Sequence, residues 1–186
     1  MAMPATQIRR GMVIVFEGAP CRVLEFRHHT PGNLRAMIQT KLKNLRSGNS
    51  FEHRFSSTES VERAMLDTVP VEYLYSDADT HHFMNQENYE QLSLTDEVLG
   101  DGMLYLLPNT VIKMDLYEGT PVGVELPNVV VLKVAETEPG LRGATASSSY
   151  KPAKMETGLM VQVPPFIETG AKLEIDTREN KYLRRV

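Results

Sequence analysis

Phe26-Arg27-His28-His29-Thr30-Pro31-Gly32-Asn33-Leu34-Arg35-Ala36-Met37-Ile38-Gln39-Thr40-Lys41-Leu42-Lys43-Asn44-Leu45 reads as a strand, a turn and a second strand. After the turn, Ala36, Ile38, Thr40 and Leu42 alternate with Met37, Gln39, Lys41 and Lys43. That period of two puts one set inward and both lysines outward. Ahead of the turn, Cys21 and Val23 share one face of the incoming strand, and Leu24, Phe26 and His28 share the other. Proline fixes φ and glycine accepts φ > 0, so Pro31-Gly32 suits the two central positions of a type II turn. Residues 28–36 therefore form a presented loop. Taken alone, the stretch reads first as an ordinary surface hairpin, with a functional tip as the alternative.

Outward from this hairpin the signals stay β-rich and short. The run Ile8–Phe16, the turns Glu17-Gly18-Ala19-Pro20 and Arg46-Ser47-Gly48-Asn49-Ser50, and the alternation Phe51, His53, Phe55 against Glu52 and Arg54 read as one small barrel. Thr58-Glu59-Ser60-Val61-Glu62 reads as a short helical connection, and a boundary falls near residue 64. The second unit, 65–127, opens on a hairpin, Met65–Tyr75 and Thr80–Met84 around Ser76-Asp77-Ala78-Asp79. Gln86–Leu92 and Leu94–Gly102 are the helix candidates of the chain, the latter with Ser93 or Thr95 as its cap. A further hairpin, Val111–Tyr117 and Val122–Leu126 around Glu118-Gly119-Thr120-Pro121, completes about five strands and one helix, the content of a Greek-key barrel of OB type. The third unit, 128–186, begins with Val129-Val130-Val131-Leu132, whose unbroken apolar run predicts a strand buried on both faces. A polar loop is expected over 138–154, then strands at Leu159–Val163 and Lys172–Asp176 and a closing turn and strand to Arg185. The prediction is an all-β protein of three small barrels.

Bulk composition bounds the function. The 186 residues are 41% hydrophobic, enough for buried cores, and the single cysteine, Cys21, excludes an internal disulfide framework. No apolar run approaches the roughly 20 residues that span a bilayer, and the N-terminus lacks a basic-then-apolar signal pattern, so a cytoplasmic protein with no membrane partner is expected. The net charge of −4 is unevenly spread: residues 1–64 carry +5, residues 65–127 carry −11, and residues 128–186 carry +2. Two basic ends flanking an acidic middle suit a molecule that touches a polyanion at its extremities.

The residues do not assemble an enzyme. There is no Gly-x-Ser-x-Gly elbow and no Gly-rich loop ending in Gly-Lys-Ser/Thr. Asp77-Ala78-Asp79-Thr80 has the spacing of an aspartate-nucleophile motif but sits at a hairpin tip, where a turn explains it. His28-His29 and His81-His82 are adjacent pairs, which on a strand point to opposite faces, so no metal site and no cofactor is expected. Cys21 reads as a small core residue. The cations read better: Arg35, Lys41, Lys43, Arg46 and Arg54 gather around the first hairpin, and Arg142, Lys151, Lys154, Lys181, Arg184 and Arg185 mark the far end. Such groups bind phosphate without reading sequence, and the scarcity of aromatics favours a folded RNA over a single strand.

The C-terminal third carries a specific pattern, Lys151-Pro-Ala153-x4-Gly158-x2-Val161-x-Val163-Pro164-x2-Ile167-x2-Gly170. It resembles, position for position, the C-terminal signature of the bacterial translation elongation factor P family. Thr40–Leu45, Phe83-Met84-Asn85, Glu136–Gly143 and Asp176-Thr177-Arg178 extend the likeness over essentially the whole chain. The resemblance implies an L-shaped molecule with a tRNA-like outline, made of an N-terminal KOW/SH3-like barrel and two OB-type barrels. It implies a monomeric, non-enzymatic factor that binds the ribosome beside the peptidyl-tRNA and promotes peptide-bond formation where consecutive prolines stall synthesis. In many members the loop tip carries a modified lysine or arginine. Aligned through Pro31-Gly32, that position here is Asn33, followed by Leu34, and asparagine has neither an amine nor a guanidinium to modify. An unmodified tip is therefore expected, with Pro31, Gly32, Asn33, Leu34 and Arg35 near the tRNA CCA end and Arg35 supplying charge. His28, Lys41, Lys43, Arg46, Arg142, Lys151, Lys154, Tyr182, Arg184 and Arg185 are the expected RNA contacts, Tyr182 and Arg185 toward the small subunit. The alternatives are a paralogue of this factor with other stalling targets, and a KOW/OB module for another folded RNA. A hydrolase resting on Asp77 and Asp79 comes last.

Overall fold

The structure, a computed structural model, describes residues 2–30, 32, 36–140 and 149–186. Its strands in chain order are β1 (Ala2–Pro4), β2 (Val13–Phe16), β3 (Ala19–His29), β4 (Met37–Asn44), β5 (Ser50–Ser56) and β6 (Ser60–Arg63), then β7 (Asp67–Asp77), β8 (Thr80–Asn85), β9 (Gln91–Thr95), β10 (Val111–Tyr117) and β11 (Thr120–Glu125). The last five are β12 (Val129–Thr137), β13 (Lys151–Met155), β14 (Met160–Val163), β15 (Lys172–Asp176) and β16 (Lys181–Arg185). One α-helical turn, α1 (Asp96–Leu99), runs into a 3-10 segment at Gly100–Tyr105, and a second 3-10 turn lies at Ala5–Gln7. The strands form three antiparallel sheets, ordered β1-β6-β2-β3-β4-β5, β11-β10-β7-β8-β9 and β14-β13-β12-β15-β16. In the second sheet β9 returns to lie beside β11, and in the third β14 lies near β16, which rolls each sheet toward closure.

The alternation in β4 holds: Ile38, Thr40 and Leu42 are buried while Met37 and Lys41 are exposed. Fully burying Ile38 or Leu42 contributes about 1.5–3 kcal/mol each, which pins the register of this strand. The parity predicted for β3 does not hold along its length. Val23 pairs with Leu42 and Glu25 with Lys41, so Leu24 is an extra residue in a β-bulge. Beyond the bulge Phe26 and His28 sit opposite Thr40 and Ile38, on the same face as Val23. Phe26 then packs against the first core beside Cys21 and Val23.

Four other expectations are corrected. Residues 60–63 pair with β1 and β2 as a strand rather than a helical connection, because Val61 fills the first core. Gln86–Leu92 is not a helix: it is a turn leading into β9, in which Asn85 and Asn88 side chains accept the backbone N–H groups of Glu87 and Glu90. Val129 and Val131 are 42% and 44% exposed, so β12 is buried on one face only. The loop expected to run to 154 ends earlier, since residues 151–155 are β13.

Each sheet encloses its own core. Ile14, Ile38 and Phe55 are among the residues of the first, Val71, Phe83 and Met114 of the second, and Leu132, Val161 and Leu173 of the third. A fourth cluster joins the first two sheets: Val13, Leu45 and Ala64 pack on Val122, flanked by Leu66 and Tyr117.

Candidate nucleic-acid interface

β3 and β4 are the longest-paired hairpin of the first sheet, and their register runs to His29 opposite Met37. The tip beyond that pair carries Gly32, whose φ of +47° is the positive value the Pro-Gly reading requires. Pro31, Asn33, Leu34 and Arg35 lie outside the described residues, as does Arg142. His28 is exposed near the end of β3, its ring edge-on to Phe26 at 6.0 Å between centroids. Phe26 also carries the Arg9 guanidinium, 5.5 Å from its ring centroid.

The outward face of the hairpin is ordered by register. Lys41 lies between Glu25 on β3 and Glu52 on β5, so two carboxylates flank it across the strands. One step nearer the tip, Gln39 lies between Arg27 and Arg54, both exposed. These two arginines are the described outward cations closest to the tip. Arg27 escaped the sequence reading because the Leu24 bulge, invisible in the pattern, decides which face it takes. The cleft between the two rows has a volume of about 160 Å³ and is lined by Glu25, Arg27, Gln39, Lys41 and Glu52 with Phe26 and Thr40.

Lys43 and Arg46 are placed elsewhere. Lys43 Nζ donates to the Val98 carbonyl at 3.4 Å, and Arg46 sits 3.9 Å from Glu118 with its guanidinium over the Tyr117 ring. Both reach across to the second sheet, as does Arg22, 3.6 Å from Asp115. Their charges face carboxylates or carbonyls of the acidic module.

At the far end the basic residues divide again. Lys151 is only 7% exposed, and its Nζ donates to the Glu138 carbonyl at 2.5 Å. Lys154, on the opposite face of β13, is exposed. Arg184 makes a two-pronged contact with Glu174 at 2.7 and 2.8 Å, which holds that carboxyl below the usual range. Arg185 is exposed with no polar side-chain partner among the described residues, and Tyr182 lies half-buried against the third core. The Asp176-Thr177-Arg178 run builds a turn. Asp176 accepts the Arg178 guanidinium at 2.9 Å and the Arg178 and Glu179 backbone N–H groups, which together bring its pKa down to about 2. Thr177 Oγ1 donates to the Pro127 carbonyl at 2.6 Å.

Asp77 and Thr80 bound the two-residue β-turn Ala78-Asp79, in which Ala78 has φ +52°. Among the described residues no three His, Cys, Asp or Glu side chains are placed to hold a metal ion, and no helix is long and apolar enough to cross a membrane. Cys21 is buried in the first core, where burial and then Glu17 push its thiol pKa up.

The geometry defines a class first: an all-β protein of three small modules in series, the first presenting a long hairpin beside exposed arginines. Comparison with known proteins then narrows it. Residues 4–61 match the elongation factor P KOW-like domain, residues 66–124 its OB domain and residues 130–185 the elongation factor P C-terminal model. Over 185 residues the chain is 54% identical to elongation factor P of Gemmatimonas aurantiaca, covering all of this chain and 98% of that protein. It is 55% identical over 185 residues to elongation factor P of Acidobacterium capsulatum, covering the whole of both. Among solved structures, eukaryotic translation initiation factor 5A from Methanococcus jannaschii aligns with a TM-score of 0.54 at 18% identity, over 65% of this chain and 90% of that one, a likeness of fold. The chain belongs to the elongation factor P family. It is a translation factor of that type, with a KOW-like module followed by OB modules.

Proposed function

We propose that this protein binds the ribosome beside the peptidyl-tRNA and promotes peptide-bond formation at stalling sequences such as consecutive prolines. The full-length relationship to elongation factor P carries this reading. Proline is a constrained donor and acceptor, so a stalled centre lacks alignment rather than chemistry, and a factor that orders the CCA end acts by positioning while the ribosome performs the reaction. In this reading the tip Pro31-Gly32-Asn33-Leu34-Arg35 meets the CCA end without modification at Asn33. Arg27, Lys41 and Arg54 on the outward hairpin face, and Lys154, Tyr182 and Arg185 at the other end, face RNA. The units 1–64, 65–127 and 128–186 act as one cytoplasmic monomer.

Translation of a polyproline reporter tests this, with the natural protein and with Asn33→Ala, Arg35→Ala and a tip deletion. Rescue is expected from the natural protein and lost on deletion and with Arg35→Ala; full rescue by all three variants removes the tip from the mechanism. Intact mass of the protein from its native host is expected to equal the sequence mass, and an adduct mapping to residues 30–36 would overturn the unmodified tip.

A further inference from the structure

Residues 96–107 are too short in any one conformation to hold themselves: one α-helical turn, then a 3-10 segment. Yet this segment touches all three modules. Toward the first, the Val98 carbonyl accepts Lys43 Nζ, and the Glu97 backbone presses so closely on Gly48 that a Cβ there would lie 2.2 Å from the Glu97 oxygen. Into the second, Val98, Leu99, Met103 and Leu106 pack on the core around Phe83 and Met114. Toward the third, the Leu104 carbonyl accepts Thr157 Oγ1 at 2.5 Å, and Leu104, Tyr105 and Leu107 join the core of Leu132 and Val161.

Its start is fastened by a buried group the functional reading does not use. His81 Nε2 lies 2.5 Å from Asp96 Oδ1, and His81 Nδ1 lies 2.5 Å from Ser76 Oγ, which is 2.6 Å from the Tyr73 hydroxyl. The chain is satisfied when Tyr73 donates to Ser76, Ser76 to Nδ1, and the Nε2–H to the Asp96 carboxylate. The Asp96 N–H also donates to the Asp79 carbonyl at 2.9 Å, so the β7–β8 hairpin grips the segment through both side chain and backbone.

We propose that residues 96–107 are a strap that fixes the three modules relative to one another, and that His81 is the positioning residue that anchors it through Asp96. Contacts to the first and third modules meet on one segment seated in the second, so releasing its anchor loosens both together. Where the protein acts as the positioning factor proposed above, the strap sets the distance from the hairpin tip to the third module, and that consequence alone rests on the functional reading.

The test uses the full chain with nitroxides on non-cysteine handles at the exposed positions Arg10 and Glu179, read as a distance distribution without ribosomes. Asp96→Ala, His81→Phe and Thr157→Val are each expected to broaden it, with the detached population rising about fivefold per hydrogen bond lost, the factor that corresponds to about 1 kcal/mol. Amide spectra of the three cores are expected to stay native. Thr157→Val leaves the second core untouched, so it keeps the test open should His81→Phe unfold. Unchanged distributions in Asp96→Ala and Thr157→Val overturn the strap, whereas failure of the natural protein, its distribution intact, to rescue the reporter counts against the functional reading instead.

Discussion

Tyr105 and Leu106 are adjacent in the chain and fill different cores: Tyr105, 9% exposed, closes the third, and Leu106, 3% exposed, closes the second. Extended backbone at Leu106 sends the two side chains to opposite sides, and the chain passes between two modules at this point. Truncation separates their effects. Leu106→Ala is expected to cost about 2–5 kcal/mol and Tyr105→Ala about 3–5 kcal/mol, the ranges for large residues removed from packed cores. Native-state hydrogen exchange should localise the first loss to β7, β8 and β10 and the second to β12, β13 and β15.

Gly48 and Gly119 distinguish strain from collision. Both have positive φ, +76° and +78°, but a Cβ at Gly119 meets open space whereas one at Gly48 meets the Glu97 carbonyl. Gly119→Ala is expected to cost about 1–2 kcal/mol from backbone strain alone. Gly48→Ala adds displacement of the second module and should exceed about 3 kcal/mol. Urea denaturation of the two variants checks the ranking.

Lys151 and Lys154 lie three residues apart on opposite faces of β13, one buried on a carbonyl and one exposed. Lys154→Ala should lower the salt slope of ribosome affinity by about 1 without changing the melting temperature. Lys151→Ala should lower the melting temperature, because it leaves the Glu138 carbonyl without its donor. Affinity titrations at several salt concentrations, with thermal melts, separate the two roles.

The β15–β16 turn should be acid-sensitive. Asp176 has its pKa lowered from 3.8 to about 2 by the Arg178 guanidinium first and backbone N–H groups next. A depressed folded value means the contribution is present above the unfolded pKa of 3.8 and is lost as pH falls toward 2. Carboxyl NMR titration should place the Asp176 midpoint about two pH units below an unperturbed aspartate, and Arg178→Ala should move it up.

What was legible in the sequence is what short-range physics controls. The β4 alternation, the β7–β8 and β10–β11 hairpins and the β15 boundaries follow from side-chain period and turn chemistry, which neighbouring residues settle among themselves. The C-terminal pattern from Lys151 to Gly170 was likewise enough to indicate the family. Tertiary structure alone decided the rest. The Leu24 bulge exists because Val23 and Phe26 must both reach one core, and no local preference announces it. Whether a lysine is a free charge depended on partners far along the chain: Lys43 on Val98, Lys151 on Glu138, Lys41 between Glu25 and Glu52. Gln86–Leu92 has helix-forming residues, but Asn85 and Asn88 bind the backbone in a turn and the edge of β8 recruits residues 91–95 as a strand. Sequence specifies which residues seek burial and which turns can form; which surfaces remain free is set by what packs against them, a property of distances between segments that only the folded chain brings together.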